Sequence, residues 1–181
     1  MTPILFCMDD SPYKLRPDLD VYDKDRNALT WKGGKPGIYH PPCTLWGNLK
    51  HFSKADKSEK FYALWSVEMI NTYGGILEHP RGSKIWKYCH KGFILWINQN
   101  WFGHPYLKPT GLYIVGINKK DIPEYPALTY VTGTVQNNSK KWRSRTPEGL
   151  IDWMLSVIKL IEQMGGTTTP HMFSVQCAKS R

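Results

Sequence analysis

Three short stretches hold residue types that can do chemistry. The first is His40-Pro41-Pro42-Cys43-Thr44, where two prolines fix φ and stiffen the chain ahead of a cysteine. A thiol held rigidly after a strand, in a basic protein, is a candidate nucleophile with a lowered pKa, while a small buried hydrophobe is the other reading of the same residue. The second is Glu78-His79-Pro80, where a carboxylate comes after an apolar pair. It is either a poised acid or a cap for the next helical turn. The third is the loop 98–110, in which Gln99, Phe102, Gly103, His104 and Pro105 combine turn residues with polar donors and Lys108 comes next. Six His and four Cys are scattered, and Cys89-His90 has no partner pair at metal-ligand spacing, so no metal site is expected.

Short strands and two helices must position these groups. Segments 3–8 and 20–23 are short strands, the second ending in Asp23. Gly33 to Gly37 is a turn. Residues 58–73 carry a helical pattern of Phe61, Leu64, Trp65, Met69 and Thr72, with Ser58 as N-cap and Gly74 as the stop. Ile76-Leu77 is a very short strand ending at Glu78, and 93–97 and 111–117 are dense apolar strands. Thr146-Pro147-Glu148 opens a helix with an apolar face of Leu150, Ile151, Met154, Leu155, Ile158 and Ile161, ended by Gly165-Gly166. Strands alternating with helices and nearly continuous apolar strand runs predict an α/β domain with a mostly parallel sheet. Ligand sites in such sheets lie at the carboxyl ends of the strands, which is where Asp23, Cys43 and Glu78 fall.

Length and charge bound the rest. The 181 residues suit one domain, expected over 1–166 with a loose tail over 167–181. Lys and Arg total 24 against 15 Asp and Glu, a net charge of +9, which favours polyanionic partners and nucleic acid first. No apolar run approaches the ~20 residues of a membrane span, and residues 1–10 do not read as a signal peptide. With no CxxC pair and sparse cysteine, a reducing cytoplasmic setting is expected.

In their order and spacing, Pro-Pro-Cys, a helix, Glu-His-Pro and then Phe-Gly-His-Pro with a lysine and a strand resemble the cytosine-5 DNA methyltransferases, closest to short phage-encoded members. His40 to Thr44, Lys108 to Thr110 and Arg143 to Thr146 match features of those short relatives. The resemblance covers about residues 36–116 and the last helix. It implies a Rossmann-like methyltransferase fold, reduced at the N-terminus. It further implies that Cys43 attacks carbon 6 of a flipped cytosine and that Glu78, kept protonated, protonates ring nitrogen 3. His79 stands where the family has asparagine, Lys108 where it has an arginine, and Tyr106 where it has glutamine.

The resemblance implies S-adenosylmethionine as methyl donor, with Asp23 on its ribose and Pro41 and Pro42 beside it. The family's Gly-rich turn after the first strand is replaced by Cys7-Met8-Asp9-Asp10-Ser11-Pro12. Asp23 is equally a solvated turn residue. A separate recognition domain is missing, which leaves residues 117–145, with Lys119, Lys120, Lys140, Lys141, Arg143 and Arg145, as the candidate DNA-contacting insertion. His40, Thr44, His79, Gln99, Phe102 and His104 are the further candidate base contacts. Two functions are therefore expected: a compact cytosine-5 methyltransferase, alone or with a partner subunit, or a degenerate one without donor binding that acts as a DNA- or nucleotide-binding protein or inhibitor in phage–host conflict. Thymidylate synthases also attack a pyrimidine at carbon 6 but lack these loops at these spacings.

Overall fold

A computed structural model describes residues 1–47, 54–126, 133–135 and 139–165. Six strands form one sheet: β1 (Thr2–Leu5), β2 (Leu19–Val21), β3 (Gly37–Tyr39), β4 (Gly75–Pro80), β5 (Phe93–Asn98) and β6 (Pro109–Val115), in the order β2-β1-β3-β4-β6-β5. β1 to β4 run parallel, and β6 lies antiparallel between β4 and β5. Three α-helices are described: α1 (Ser58–Tyr73), α2 (Lys140–Ser144) and α3 (Glu148–Gln163). The expected mostly parallel α/β sheet is present, but helices do not alternate with every strand. β1, β2 and β3 are joined through 3-10 turns at Pro12–Leu15 and Ala28–Thr30.

Both faces of the sheet are apolar because consecutive strand residues point opposite ways. Ile4, Ile38, Ile76 and Ile114 sit side by side across four strands in one row, and Leu5, Tyr39, Leu77 and Tyr113 in the next. The isoleucine row packs under α3, through Leu150, Ile151, Met154, Val157, Ile158 and Ile161. The Leu/Tyr row packs under α1, through Ala63, Val67 and Ile70. Each of these buried side chains contributes roughly 1.5–3 kcal/mol over leaving it exposed.

Several local expectations shift. In α1 the buried stripe is Ala63, Ser66, Val67 and Ile70, while Phe61 and Leu64 face solvent. Ser66 is tolerated inside because its hydroxyl donates to the Tyr62 carbonyl at 2.8 Å. Ser58 is the first helical residue; Lys57 takes the capping position without a side-chain bond, and the Asp56 carboxylate before it accepts from the Ser58 N–H at 2.7 Å. Gly74 ends α1 as expected, at a φ of 78° that favours glycine. α3 begins at Glu148 with Pro147 in the capping position, so Thr146 is buried beside the helix start instead of capping it. β4 is longer than the expected Ile76-Leu77 and takes Glu78 and His79 into the ladder, opposite Leu112 and Gly111 of β6. The tail beyond residue 165 and parts of the stretch 117–145 lie outside the described residues. No helix among the described residues is long and apolar enough to cross a membrane.

Candidate base pocket at the strand ends

Four elements deliver side chains to one cavity of about 170 Å³. The end of β3 brings His40, Pro41, Pro42 and Cys43; β4 brings Glu78 and His79; the start of β6 brings Lys108; and the segment before α3 brings Arg143, Arg145 and Thr146. The far wall is the turn after β1, from Phe6 to Tyr13.

Glu78 anchors the site. Its Oε2 lies 2.8 Å from His40 Nδ1, and its Oε1 accepts from Gln99 Nε2 at 2.8 Å. Gln99 Nε2 also reaches Thr110 Oγ1 at 3.0 Å, and His40 Nε2 lies 3.1 Å from the Tyr13 hydroxyl. Burial pushes the Tyr13 phenol well above its ordinary value, with the Glu78 charge adding to that, so the hydroxyl keeps its proton and donates to His40 Nε2. His40 Nδ1–H then donates to Glu78, and Tyr13, His40, Glu78, Gln99 and Thr110 form one hydrogen-bonded run, in which Gln99 Oε1 alone is left without a partner among the described residues.

The charge state of Glu78 differs from the expectation. Burial pushes its carboxyl up, but the Lys108 ammonium and the His40 hydrogen bond outweigh burial and hold it down at about 2. Glu78 is therefore a carboxylate at neutral pH and does not act as a preformed acid. Lys108 is itself buried, which lowers its pKa; Glu78 and Cys43 oppose that, and its Nζ donates to the Arg145 carbonyl at 2.8 Å.

Cys43 presents surface to solvent, but desolvation of its thiol raises the pKa, the Glu78 charge raises it further, and Lys108 pulls back only in part. The thiolate expected from a basic surrounding is thus absent in the free protein. His79 is fully buried, and desolvation lowers its pKa to about 4. It is a neutral imidazole; the Pro42 backbone opposes the lowering, yet neither ring nitrogen reaches full hydrogen-bonding geometry with a partner among the described residues.

Other predicted residues take structural places. His104 Nε2 donates to the Trp142 carbonyl at 3.0 Å, and its Nδ1 accepts from the Tyr106 N–H at 3.1 Å, which ties the loop before β6 to α2. Phe102 packs on Trp153 with ring centroids 5.9 Å apart. Gln99 touches Glu78 from behind the cavity wall. Thr44 opens an exposed 3-10 turn. Lys140 and Lys141 begin α2, and their side chains lie outside the described set. Sequence reasoning missed Tyr13 and the supporting role of Thr110; Ser11-Pro12 ahead of Tyr13, a turn that fixes where the phenol goes, was the available signal.

At the end of β1, Phe6 adopts a φ of 60° and packs its ring against Tyr62 and Trp65. Asp23 accepts from the N–H groups of Asp25 and Arg26 and pairs with Lys14 at 2.5 Å. The Lys14 bond, with the Arg26 N–H, holds its carboxyl low at about 2. No group of three or more metal-ligating side chains occurs among the described residues. No protein-family model and no curated protein matches the sequence.

Proposed function

We propose that this protein captures a single flipped cytosine of DNA between Cys43 and Glu78, on a fold of the cytosine-5 methyltransferase type whose donor site is degenerate. The observation that carries this reading is the convergence of a thiol, an ionised carboxylate, a histidine and a lysine on one small cavity. Its 170 Å³ falls below the roughly 300–1,000 Å³ of pockets for drug-sized ligands and suits one pyrimidine ring. The rim cations Arg143 and Arg145 and the net charge of +9 favour a polyanion carrying that ring.

The charges set the chemistry. Cys43 Sγ bonds to carbon 6 and releases its proton to solvent. Nitrogen 3 of the entering base takes a proton from solvent, facing the Glu78 carboxylate, and as Sγ adds, the π pair of the carbon 5–carbon 6 bond moves into the ring and cancels that positive charge. The addition is reversible, with no leaving group and no change of oxidation state. Glu78 accepts from the protonated ring instead of supplying the proton. Desolvation remains the larger cause of the raised Cys43 thiol, and the protonated ring, by matching the Glu78 charge, removes the second.

Three features weigh against S-adenosylmethionine beside this pocket. Phe6 stands in a left-handed backbone position with a ring that fills space, where a cofactor turn needs glycine. Asp23, the ribose candidate, is committed to Lys14 and to its own turn. The cavity has no volume for a second, larger ligand. The residues present do not fit the donor, and no methyl-transfer step is derived.

The test is covalent trapping on single-stranded DNA in which 2-pyrimidinone, a more electrophilic cytosine analogue, replaces one cytosine. An adduct of protein plus oligonucleotide mass is expected, lost in Cys43→Ser; its absence from the unaltered protein overturns the reading. Calorimetric titration with S-adenosylmethionine is expected to show no saturable heat. Saturable binding lost on Asp23→Ala would restore methyl transfer as the activity.

A further inference from the structure

A second feature lies on the α1 face of the sheet, beyond His79, which also lines the cavity. His79, Gly111 and Trp96 face one another across β4, β6 and β5 in one cross-strand row. Gly111 leaves a gap in that row, and the Trp86 indole fills it: a Cβ on Gly111 would meet Trp86 at 2.6 Å and Trp96 at 2.7 Å. Trp86 is pinned there because its Nε1 donates to the carbonyls of Pro80 and Arg81, at 3.1 and 3.0 Å. Its ring stands edge-on to Trp96, with centroids 5.4 Å apart. Trp96 is left 39% exposed, with the Arg81 guanidinium 5.6 Å from its ring centre. Trp96 is thus a part-exposed ring held in place by a second, hydrogen-bonded tryptophan.

The strands and turns that carry this pair are rich in cations. From His79 to Lys120 the chain contains no Asp or Glu, while Arg81, Lys84, Lys87, Lys91, Lys108, Lys119 and Lys120 all fall in that stretch. Arg81 has no carboxylate partner among the described residues. A groove lined by Cys43, Gly47, Pro80, Arg81, Gly82, Ser83 and Pro109 runs from the nucleophile to Arg81 and hence to the edge of the platform.

We propose that Trp96 and Arg81 form a stacking platform for an unpaired nucleotide of the same DNA strand whose cytosine enters the Cys43 cavity. The proposal rests on the capture reading above and adds its substrate class, which is single-stranded DNA. A base inside a duplex has both faces covered by its neighbours, whereas an unpaired base offers a face to an indole and its phosphate to a guanidinium. The arginine then serves twice, over the ring and toward the backbone.

The experiment is anisotropy titration of a fluorescein-labelled single-stranded oligonucleotide with one 2-pyrimidinone, moving one abasic site along the flanking positions. With the unaltered protein, one flanking position is expected to lose roughly 5- to 100-fold in affinity when abasic, the range for loss of one base–aromatic stack. Trp96→Ala is expected to weaken the intact strand by a similar factor and to erase the abasic effect; Trp96→Phe restores part of both. Arg81→Ala lowers the salt slope by about one unit. Annealing the complement is expected to weaken binding. A flat abasic scan, an abasic effect that survives in Trp96→Ala, or tighter binding to the duplex overturns the platform, and the abasic arm needs no folded variant. Adduct formation at Cys43 is read separately by mass. An adduct with a flat scan sinks only the platform, and a Trp96-dependent scan without an adduct sinks only the capture reading.

Discussion

His40 Nδ1 lies 2.8 Å from Glu78 Oε2, and this contact joins the end of β3 to a carboxylate in mid-β4. It makes the site one electrostatic unit. His40 and Lys108 hold Glu78 ionised, Glu78 holds Cys43 protonated, and Tyr13 and Gln99 fix the two residues in place. On the proposed reading, the buried Glu78 carboxylate is the group in this mixed-charge cavity that pairs with a ring carrying a proton.

The first prediction concerns pH. The Glu78 carboxyl is lowered in the fold from 4.5 to about 2, so its stabilising effect is complete above pH 4.5 and is lost as pH falls toward 2. Asp23 is lowered to about 2 as well and adds to the same window. Glu78→Gln is expected to flatten the fall in melting temperature below pH 4.5 without abolishing it. At neutral pH it costs about 3 kcal/mol, because Lys108 is left buried without its counter-charge. Thermal unfolding measured from pH 7 to pH 2 in both proteins checks both statements; an unchanged acid limb in the variant refutes the ionised assignment.

Much of the sheet is legible in the sequence, because Ile4-Leu5, Ile38-Tyr39, Ile76-Leu77 and Leu112-Tyr113 are apolar on both faces and only a doubly covered sheet accommodates that. The placement of Cys43, Glu78 and Lys108 around one point is legible through motif order. Three things are not. β4 continues through His79 because a neutral, buried imidazole reads as polar in sequence yet packs against Trp86. The stripe of α1 is misread because Phe61 and Leu64, two large apolar side chains, lie off the buried line that Ala63, Val67 and Ile70 make. The ionisation of Glu78 depends on His40 and Lys108, 38 and 30 residues away in sequence, and no local pattern reports a long-range charge.

Cys43 supplies the second prediction. Its thiol is raised from 9.0 by desolvation and by Glu78, so alkylation by iodoacetamide is expected to be slow at pH 7 and to rise steadily beyond pH 9. Lys108→Met removes the one nearby cation that lowers it and is expected to slow alkylation further at every pH. Peptide-level mass spectrometry of modified Cys43 gives the rates. Fast modification at pH 7 would mean that the thiolate exists before the base arrives.

Asp23 separates a structural from a ligand-binding role. Its carboxylate accepts two backbone N–H bonds and pairs with Lys14, a partly exposed lysine. Lys14→Met is expected to cost little, because solvent screens a surface ion pair. Asp23→Ala is expected to cost about 1 kcal/mol more, since the turn loses its side-chain acceptor. Denaturant unfolding of the two variants tests the order, and Asp23→Ala no less stable than Lys14→Met would release Asp23 from its structural role.

Gly111 gives the sharpest structural prediction. Its φ is not the constraint; the constraint is the space that Trp86 and Trp96 take above it, at 2.6 to 2.9 Å from where a Cβ would stand. Trp86 cannot withdraw without breaking its bonds to the Pro80 and Arg81 carbonyls, so Trp96, the more exposed ring, gives way. Gly111→Ala is expected to cost about 1–3 kcal/mol in denaturant unfolding, the range for overpacking. It is also expected to alter near-ultraviolet circular dichroism, because the edge-on Trp86–Trp96 pair is disturbed. Trp86→Leu in the same chain removes the Trp86 part of the clash and leaves Trp96 room to shift, so the double variant is expected to lose less than the sum of the two single losses. Strict additivity would mean that Trp86 does not occupy the gap over Gly111.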